Sequence, residues 1–210
     1  MKVLNLYAGI GGNRKLWEDV DVTAVEWDEA TAEVYADNFP EDNVVVGDAH
    51  QYLLDHYKEF DFIWSSPPCP SHSEIRRCGT YRGQQPAIYP DMGLYQEIIL
   101  LQAYARKNTK WVVENVNPYY EPLIPPTKKL HRHFYWMNFN VSNFKTDDER
   151  KHLSIRVDST VYGFNIYNSS IENKVKALRN MVDPTLGLHI FNAARNIVTK
   201  SKTNQGVLFK

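Results

Sequence analysis

Asn5-Leu6-Tyr7-Ala8-Gly9-Ile10-Gly11-Gly12, entered through the apolar run Lys2–Leu6, reads as a buried strand that ends in a glycine turn. Glycines at that point let the backbone turn sharply and approach a ligand where no Cβ would fit. The pattern predicts a helix from the turn to about Glu18. The N-terminus of such a helix favours a carboxylate or a phosphate. As a bare motif the turn also suits an ordinary strand-to-helix connection, so the fold is decided by the elements downstream of it. Val22–Glu26 reads as a second strand, Asp28–Asn38 as a helix, Asn43–Val46 as a third strand and Gln51–Tyr57 as a short helix. Asp61–Ser65 is a fourth strand, Tyr95–Lys107 a helix and Lys110–Glu114 a fifth strand. Strands alternating with helices make an α/β, doubly wound, mostly parallel sheet. Short right-handed crossovers then bring every strand C-terminus to one edge, where ligands bind.

Beyond this frame the periodicity weakens. Ser71–Pro90 reads as a long polar loop carrying Arg76, Arg77 and Arg82, a length typical of a functional lid. After Pro122, His133–Asn138 reads as a strand, Ile171–Met181 as a helix and Asn192–Thr199 as a further helix. With 210 residues, 43% of them hydrophobic and 13% aromatic, the chain can build a core and is not a disordered segment. No run approaches eighteen apolar residues and the N-terminus lacks signal-peptide zoning, so a cytoplasmic, non-membrane protein is expected. Two cysteines, Cys69 and Cys78, suit a reducing compartment and do not form a disulfide framework. Residues 1–122 hold 10 Lys and Arg against 19 Asp and Glu, a net −9; residues 123–210 hold 14 against 6, a net +8. That split suits an acidic cofactor-binding half beside a small basic C-terminal part that meets a polyanion, although solvated faces can divide this way by chance.

Three consecutive strands end in groups that suit a nucleoside. Glu26 can accept both ribose hydroxyls, Trp27 offers a face to an adenine, and Asp48 of Gly47-Asp48-Ala49 can accept from an exocyclic amine. Each acid alone is more often a helix cap, Asp28 and Asp48 especially. Pro67-Pro68-Cys69 aims a thiol, because two prolines stiffen the chain that carries it. Near pH 7 an ordinary thiol is only about 3% thiolate, so this one needs activation. A lone cysteine can also be a small buried hydrophobe. Cys69, His72 and Cys78 lack a fourth metal ligand, so no metal is expected, and a Cys69–His72 protease dyad would leave the nucleoside pocket unexplained. Glu114 of Glu114-Asn115-Val116 closes an apolar strand and is a candidate proton carrier, or else a loop brace.

Together these residues resemble the cytosine-C5 methyltransferases that use S-adenosylmethionine. Leu6–Gly12 is similar to the family's first cofactor motif, and Glu26-Trp27 and Gly47-Asp48 to its second and third. Pro67-Pro68-Cys69 is similar to the catalytic Pro-Cys motif, and Glu114-Asn115-Val116 to the Glu-Asn-Val motif, in order over residues 3–136. The resemblance implies a Rossmann-like class I methyltransferase fold. Tyr7 and Trp27 would sandwich the adenine, Glu26 would hold the ribose and Asp48 the amino group. Leu6, Ala8, Gly9, Gly11 and Gly12 would carry the methionine end, with Ala49, Pro67 and Asn192 closing the pocket. Cys69 would attack C6 of cytosine while protonated Glu114 holds the ring nitrogen. The partner implied is duplex DNA with a flipped cytosine. Ser71, Ser73, Arg76, Arg77, Arg82 and Arg132 would meet that DNA.

The chain also departs from the family pattern. Asn5 stands where an acid is usual, leaving the methionine ammonium short of a partner. Lys129–Phe134 puts His131 and His133 at two usual arginine positions, with Arg132 between them. Phe191-Asn192-Ala193-Ala194 only partly resembles the closing Gly-Asn-Ser-Val segment. Between Trp136 and Asn192 lie 55 residues for target recognition, normally a whole domain. The expected division is 1–140 for cofactor and catalysis, 141–188 for a reduced recognition region and 189–210 returning to the catalytic part. Such compactness resembles phage-encoded or restriction-modification members and leaves room for a partner subunit that supplies target choice. Two alternatives remain open: RNA, as in the tRNA-modifying branch, and a non-catalytic cofactor or DNA binder.

Overall fold

The computed structural model describes residues 1–144, 163, 164, 166 and 168–197. Seven strands form one sheet: β1 (Lys2–Leu6), β2 (Asp21–Glu26), β3 (Asn43–Val46), β4 (Phe62–Ser65), β5 (Lys110–Val116), β6 (Lys128–Leu130) and β7 (His133–Met137). Their spatial order is β3-β2-β1-β4-β5-β7-β6. β1 to β5 are parallel and β7 runs antiparallel to both neighbours. The helices are α1 (Glu29–Asn38), α2 (Ala49–His56), α3 (Glu74–Tyr81), α4 (Gly93–Tyr104), α5 (Lys174–Asn180) and α6 (Pro184–Ala194). This is the α/β, doubly wound, mostly parallel architecture that the strand and helix alternation implies.

The central strands are buried on both faces, which is why they read as continuous apolar runs. Leu4 and Leu6 of β1, Ile63 of β4 and Val113 of β5 pack under α2 and α4, with Leu53, Leu94, Ile98 and Leu101. Val3, Phe62, Trp64 and Val112 point the other way, against Leu186, Ile190 and Phe191 of α6. α1 and α5 share a third cluster through Tyr35, Phe39, Leu178 and Met181. Register sets Leu6 level with Val25 and Ser65, and Ser65 level with Val113. The ends of β1, β2, β4 and β5 therefore open onto one edge.

Four expectations are corrected. No helix follows the glycine turn: Asn13–Leu16 form tight turns, with Arg14 N–H bonding the Gly11 carbonyl (3.1 Å) and Trp17 N–H the Arg14 carbonyl (3.0 Å). Gly11, Gly12 and Asn13 are poor helix formers, and Trp17 is the only large side chain there to bury, stacked on Phe191 at 4.8 Å. α6 covers the sheet on that side, its Gly187 set so close to Asn13 that an added Cβ would lie 2.5 Å from the Asn13 carbonyl oxygen. Ser71–Pro90 is not all loop, because Ser73 caps α3 by accepting from Arg76 N–H (3.2 Å). The C-terminal helix starts at Pro184 behind its Asp183 cap and ends at Ala194, so the expected boundary between residues 188 and 189 cuts through it. Residues 145–162, 165 and 167 of the 141–188 region, and 198–210 of the final segment, lie outside the described residues.

Candidate active site

At the end of β1 the chain enters a turn with three left-handed residues, Tyr7 (φ 54°), Gly9 (φ 56°) and Gly11 (φ 87°). The glycines there do different work. A Cβ on Gly9 would meet nothing within 4 Å, so that position lines open space. A Cβ on Gly11 would strike Phe39, and one on Gly12 would stand 2.3 Å from the Val182 carbonyl oxygen. Those two glycines serve packing. Gly9 N–H donates to Glu26 Oε2 (2.9 Å) and Asp28 N–H to Glu26 Oε1 (3.0 Å), so Glu26 clamps the turn to the start of α1. Trp27, next along the edge, is 74% exposed. Asp48 is the N-cap of α2: one oxygen accepts from His50 N–H (2.9 Å) and Gln51 N–H (3.2 Å). Ala49 is buried beneath that cap, as are the side chains of Leu6 and Ala8 in the core.

Asn5, where the resemblance leaves an ammonium unpartnered, is fully buried and paired with Asn13, whose Nδ2 donates to Asn5 Oδ1 (2.7 Å). It works inside the fold. Asn192 stands apart from the turn. The segment that meets the glycine turn is Met181–Val182, whereas Asn192 stands in the last turn of α6 with its carbonyl accepting Ile197 N–H (2.9 Å). Its place is about 7 Å along the helix axis from Gly187, at 1.5 Å per residue.

The thiol lies on the connection after β4 and the carboxyl group on neighbouring β5. β4 ends at Ser65, and the buried Pro67 carbonyl accepts Asn115 Nδ2–H (2.9 Å), which ties the Pro-Pro-Cys loop to β5. Cys69 is half-buried; burial pushes its thiol up, Glu114 pushes it further, and Lys176 of α5 pulls the other way. Glu114 is buried on the β5 face shared with His133 of β7, whose Nε2 is 3.5 Å from Glu114 Oε1. The two sit on the diagonal of an antiparallel pair in which Glu114 is level with Tyr135. His131 is not with them. It occupies the two-residue hairpin between β6 and β7, exposed and left-handed (φ 52°), beside exposed Arg132.

The groups expected to meet nucleic acid divide in the same way. Ser71 is buried, and its hydroxyl accepts Asp91 N–H (3.0 Å), closing the base of the excursion that carries α3. Ser73 is the α3 cap. Arg76 reaches the Pro86 carbonyl (3.1 Å). Arg77 pairs with Glu74 (2.8 Å) and lies over Tyr81 and Tyr119, each at 5.8 Å, while Arg82 is exposed at the end of the helix. Among the described residues no group of three or more His, Cys, Asp or Glu could hold a metal ion, and no helix is long and apolar enough to cross a membrane.

Sequence reasoning missed Glu97. Its buried carboxylate, on α4, accepts from Tyr7 Oη–H (2.6 Å) and Ser65 Oγ–H (2.5 Å), and His50 Nδ1 lies 2.9 Å away. Burial and Glu97 push the Tyr7 phenol well up; the bond to Glu97 also raises His50. The one signal was a carboxylate inside an otherwise apolar helical face. Lys176 was missed because nothing in its helix marks it as facing the thiol.

Residues 1–119 match the C-5 cytosine-specific DNA methylase family, more than half of the chain and every motif from the glycine turn to Glu114. This chain is a member of that family. No curated protein matches the sequence. Among solved structures, Schizosaccharomyces pombe (S. pombe) Dnmt2 methyltransferase shares 18% identity over 56% of this chain and 34% of its own, at a TM-score of 0.41. Entamoeba histolytica methyltransferase EhMeth shares 16% over 76% and 62%, at 0.43. A DNA modification methyltransferase of an Escherichia coli (E. coli) prophage, so named as putative, shares 20% over 58% and 33%, at 0.36. The chain thus spans about a third of the Dnmt2 and prophage proteins.

Proposed function

We propose that this chain transfers a methyl group from S-adenosylmethionine to C5 of cytosine in duplex DNA through a covalent Cys69–C6 adduct. The observation that carries the reading is the joint presence of Cys69, on the loop after β4, and Glu114, on β5, with Asn115 and Pro67 tying the two together at the edge where the glycine turn lies. The cofactor fits that edge. Gly9 leaves open space, Trp27 presents an exposed ring, and Glu26 and Asp48 cap the neighbouring strand ends. On this reading Tyr7 and Trp27 flank the adenine, Glu26 takes the ribose and Asp48 the exocyclic amine. When bound, S-adenosylmethionine supplies an electrophilic methyl group.

The rest of the chemistry belongs to this chain. C5 of cytosine is a poor nucleophile until something adds at C6. On this mechanism Cys69, as the thiolate, bonds C6 through Sγ, and Glu114, carrying a proton, donates to the ring nitrogen, which makes C6 open to attack and leaves C5 electron-rich. Glu114 as a carboxylate disfavours the Cys69 thiolate, so the two groups act on one another's charge. On this reading His133, whose Nε2 is 3.5 Å from Glu114, donates to the cytosine carbonyl. Loss of the C5 proton and of Cys69 restores the ring. Arg77, Arg82 and Arg132 are the exposed cations left for phosphates. Target choice rests on the short region after Trp136 or on a partner subunit.

The test is transfer of label from tritiated S-adenosylmethionine to unmethylated duplex DNA, with tRNA as second substrate and Cys69→Ala as control. Label in DNA as 5-methylcytosine, absent with Cys69→Ala, is the expected result. Label in tRNA alone moves the substrate to RNA. Cofactor binding without transfer to either leaves a binder that needs a partner, and overturns the solo enzyme.

A further inference from the structure

Glu97 lies outside every sequence motif of the site, yet it links the parts that those motifs supply. Its carboxylate is buried and holds the hydroxyl of Tyr7 from the end of β1, the hydroxyl of Ser65 from the end of β4 and the imidazole of His50 in the first turn of α2. Ser65 opens the Pro-Pro-Cys loop, and His50 follows the Asp48 cap by two residues. Three walls of the site thus converge on one side chain of α4.

Tyr7 is the wall that most needs holding. It has a left-handed backbone (φ 54°), a conformation costing a non-glycine residue roughly 1–2 kcal/mol. Such a residue persists only where its surroundings over-determine it. Main-chain support comes from Ala8 N–H bonding the Val25 carbonyl (3.1 Å); the side chain is fixed by Glu97 at 2.6 Å. A hydrogen bond to a buried carboxylate is stronger than one between neutral groups. It restrains the ring about both of its side-chain torsions, so the ring face is set before any ligand arrives.

We infer that Glu97 is a positioning residue of the cofactor pocket: through the Tyr7 hydroxyl it pre-sets the ring against which the adenine packs, and through Ser65 and His50 it keeps that ring in register with the catalytic loop and the Asp48 cap. The inference rests on the proposed methyltransferase function. Ordering Tyr7 in advance removes an entropic cost from cofactor binding and leaves the chemical step untouched.

Tyr7→Phe and Glu97→Gln both keep side-chain volume; the first removes the shared bond and the second replaces its charged acceptor with a neutral amide. S-adenosylmethionine affinity is measured by calorimetry, stability by urea unfolding, and kcat and cofactor KM on duplex DNA. Each variant should weaken cofactor binding about tenfold, the equivalent of roughly 1.4 kcal/mol, and raise the cofactor KM in parallel. The double variant should bind about as weakly as Tyr7→Phe alone, because with the hydroxyl gone the Glu97 substitution has no Tyr7 bond left to weaken. Affinities within about twofold of wild type alongside lower stability would reduce Glu97 to a structural group and overturn the inference. Additive losses, or a fall in kcat with unchanged affinity, would overturn it as well. If wild type itself binds no S-adenosylmethionine, the proposed function fails and takes this inference with it, an outcome distinct from a binding wild type with indifferent variants.

Discussion

Cys69 and Glu114 compete for one negative charge. The Cys69 thiol is pushed up first by burial and then by the neighbouring carboxylate, so removing that charge must bring the thiol down. Glu114→Gln should therefore let iodoacetamide modify Cys69 faster than in wild type at pH 7.5, read peptide by peptide because Cys78 is exposed. On the proposed mechanism the same change takes away the group that protonates the ring nitrogen and should slow methyl transfer by about 10²–10⁴-fold. A thiol made more reactive in an enzyme made less active is the signature of the pair. Slower alkylation would mean that Glu114 supports the thiolate by some other route. Where Cys69, Glu114 and Glu26 stand was readable from residue type and order alone, since each lies at or just past the end of a strand. Which partner each one takes was not readable. Glu26 spends both oxygens on the N–H groups of Gly9 and Asp28, and of the two histidines only His133 turns toward Glu114.

Elements were legible where periodicity and burial agree. β1 to β5 and α1, α2 and α4 stand within a few residues of their expected bounds, because buried strands and amphipathic helices carry their own patterns. The helix expected after the glycines failed because its covering role passes to α6, some 170 residues further on, and no local pattern reports that exchange. α3 was hidden by its polar composition, and its N-terminal half carries Ile75, 84% exposed, where a core face was sought. The glycine turn makes the exchange testable. Gly12→Ala must push the Val182 backbone aside from 2.3 Å, an overpacking cost of about 3 kcal/mol. Gly9→Ala meets no atom and pays only for its positive φ, about 1 kcal/mol. Urea unfolding should place Gly12→Ala well below Gly9→Ala. Equal losses would mean that backbone conformation, and not the seat of the Met181–Asp183 segment, governs the turn.

At the scale of the whole molecule, two histidines set opposite slopes of stability with pH. His50 is raised above its ordinary 6.5 by Glu97, so the stability it adds is complete below pH 6.5 and is lost as pH rises through the folded value. His72 is lowered, chiefly by burial, so the unfolded chain takes up the proton first and stability falls as pH drops through 6.5. Thermal melts between pH 5.5 and 7.5 should show Tm rising with pH in His50→Gln and falling with pH in His72→Gln; slopes of the same sign in both would refute the opposition. The largest long-range dependence is on α6. Leu186, Ile190 and Phe191 are buried against Val3, Trp17, Phe62 and Trp64, at about 2 kcal/mol each, so roughly 6 kcal/mol of burial reaches the sheet from one late helix, α6. That is comparable to the whole stability of a typical domain, about 5–15 kcal/mol. A chain ended at Val182 keeps every catalytic and cofactor motif, yet should lose cooperative urea unfolding and expose Trp17 and Trp64, seen as a red-shifted tryptophan emission. A truncated chain that unfolds at the wild-type midpoint would show that α6 is dispensable and that the glycine-turn side of the sheet is covered without it.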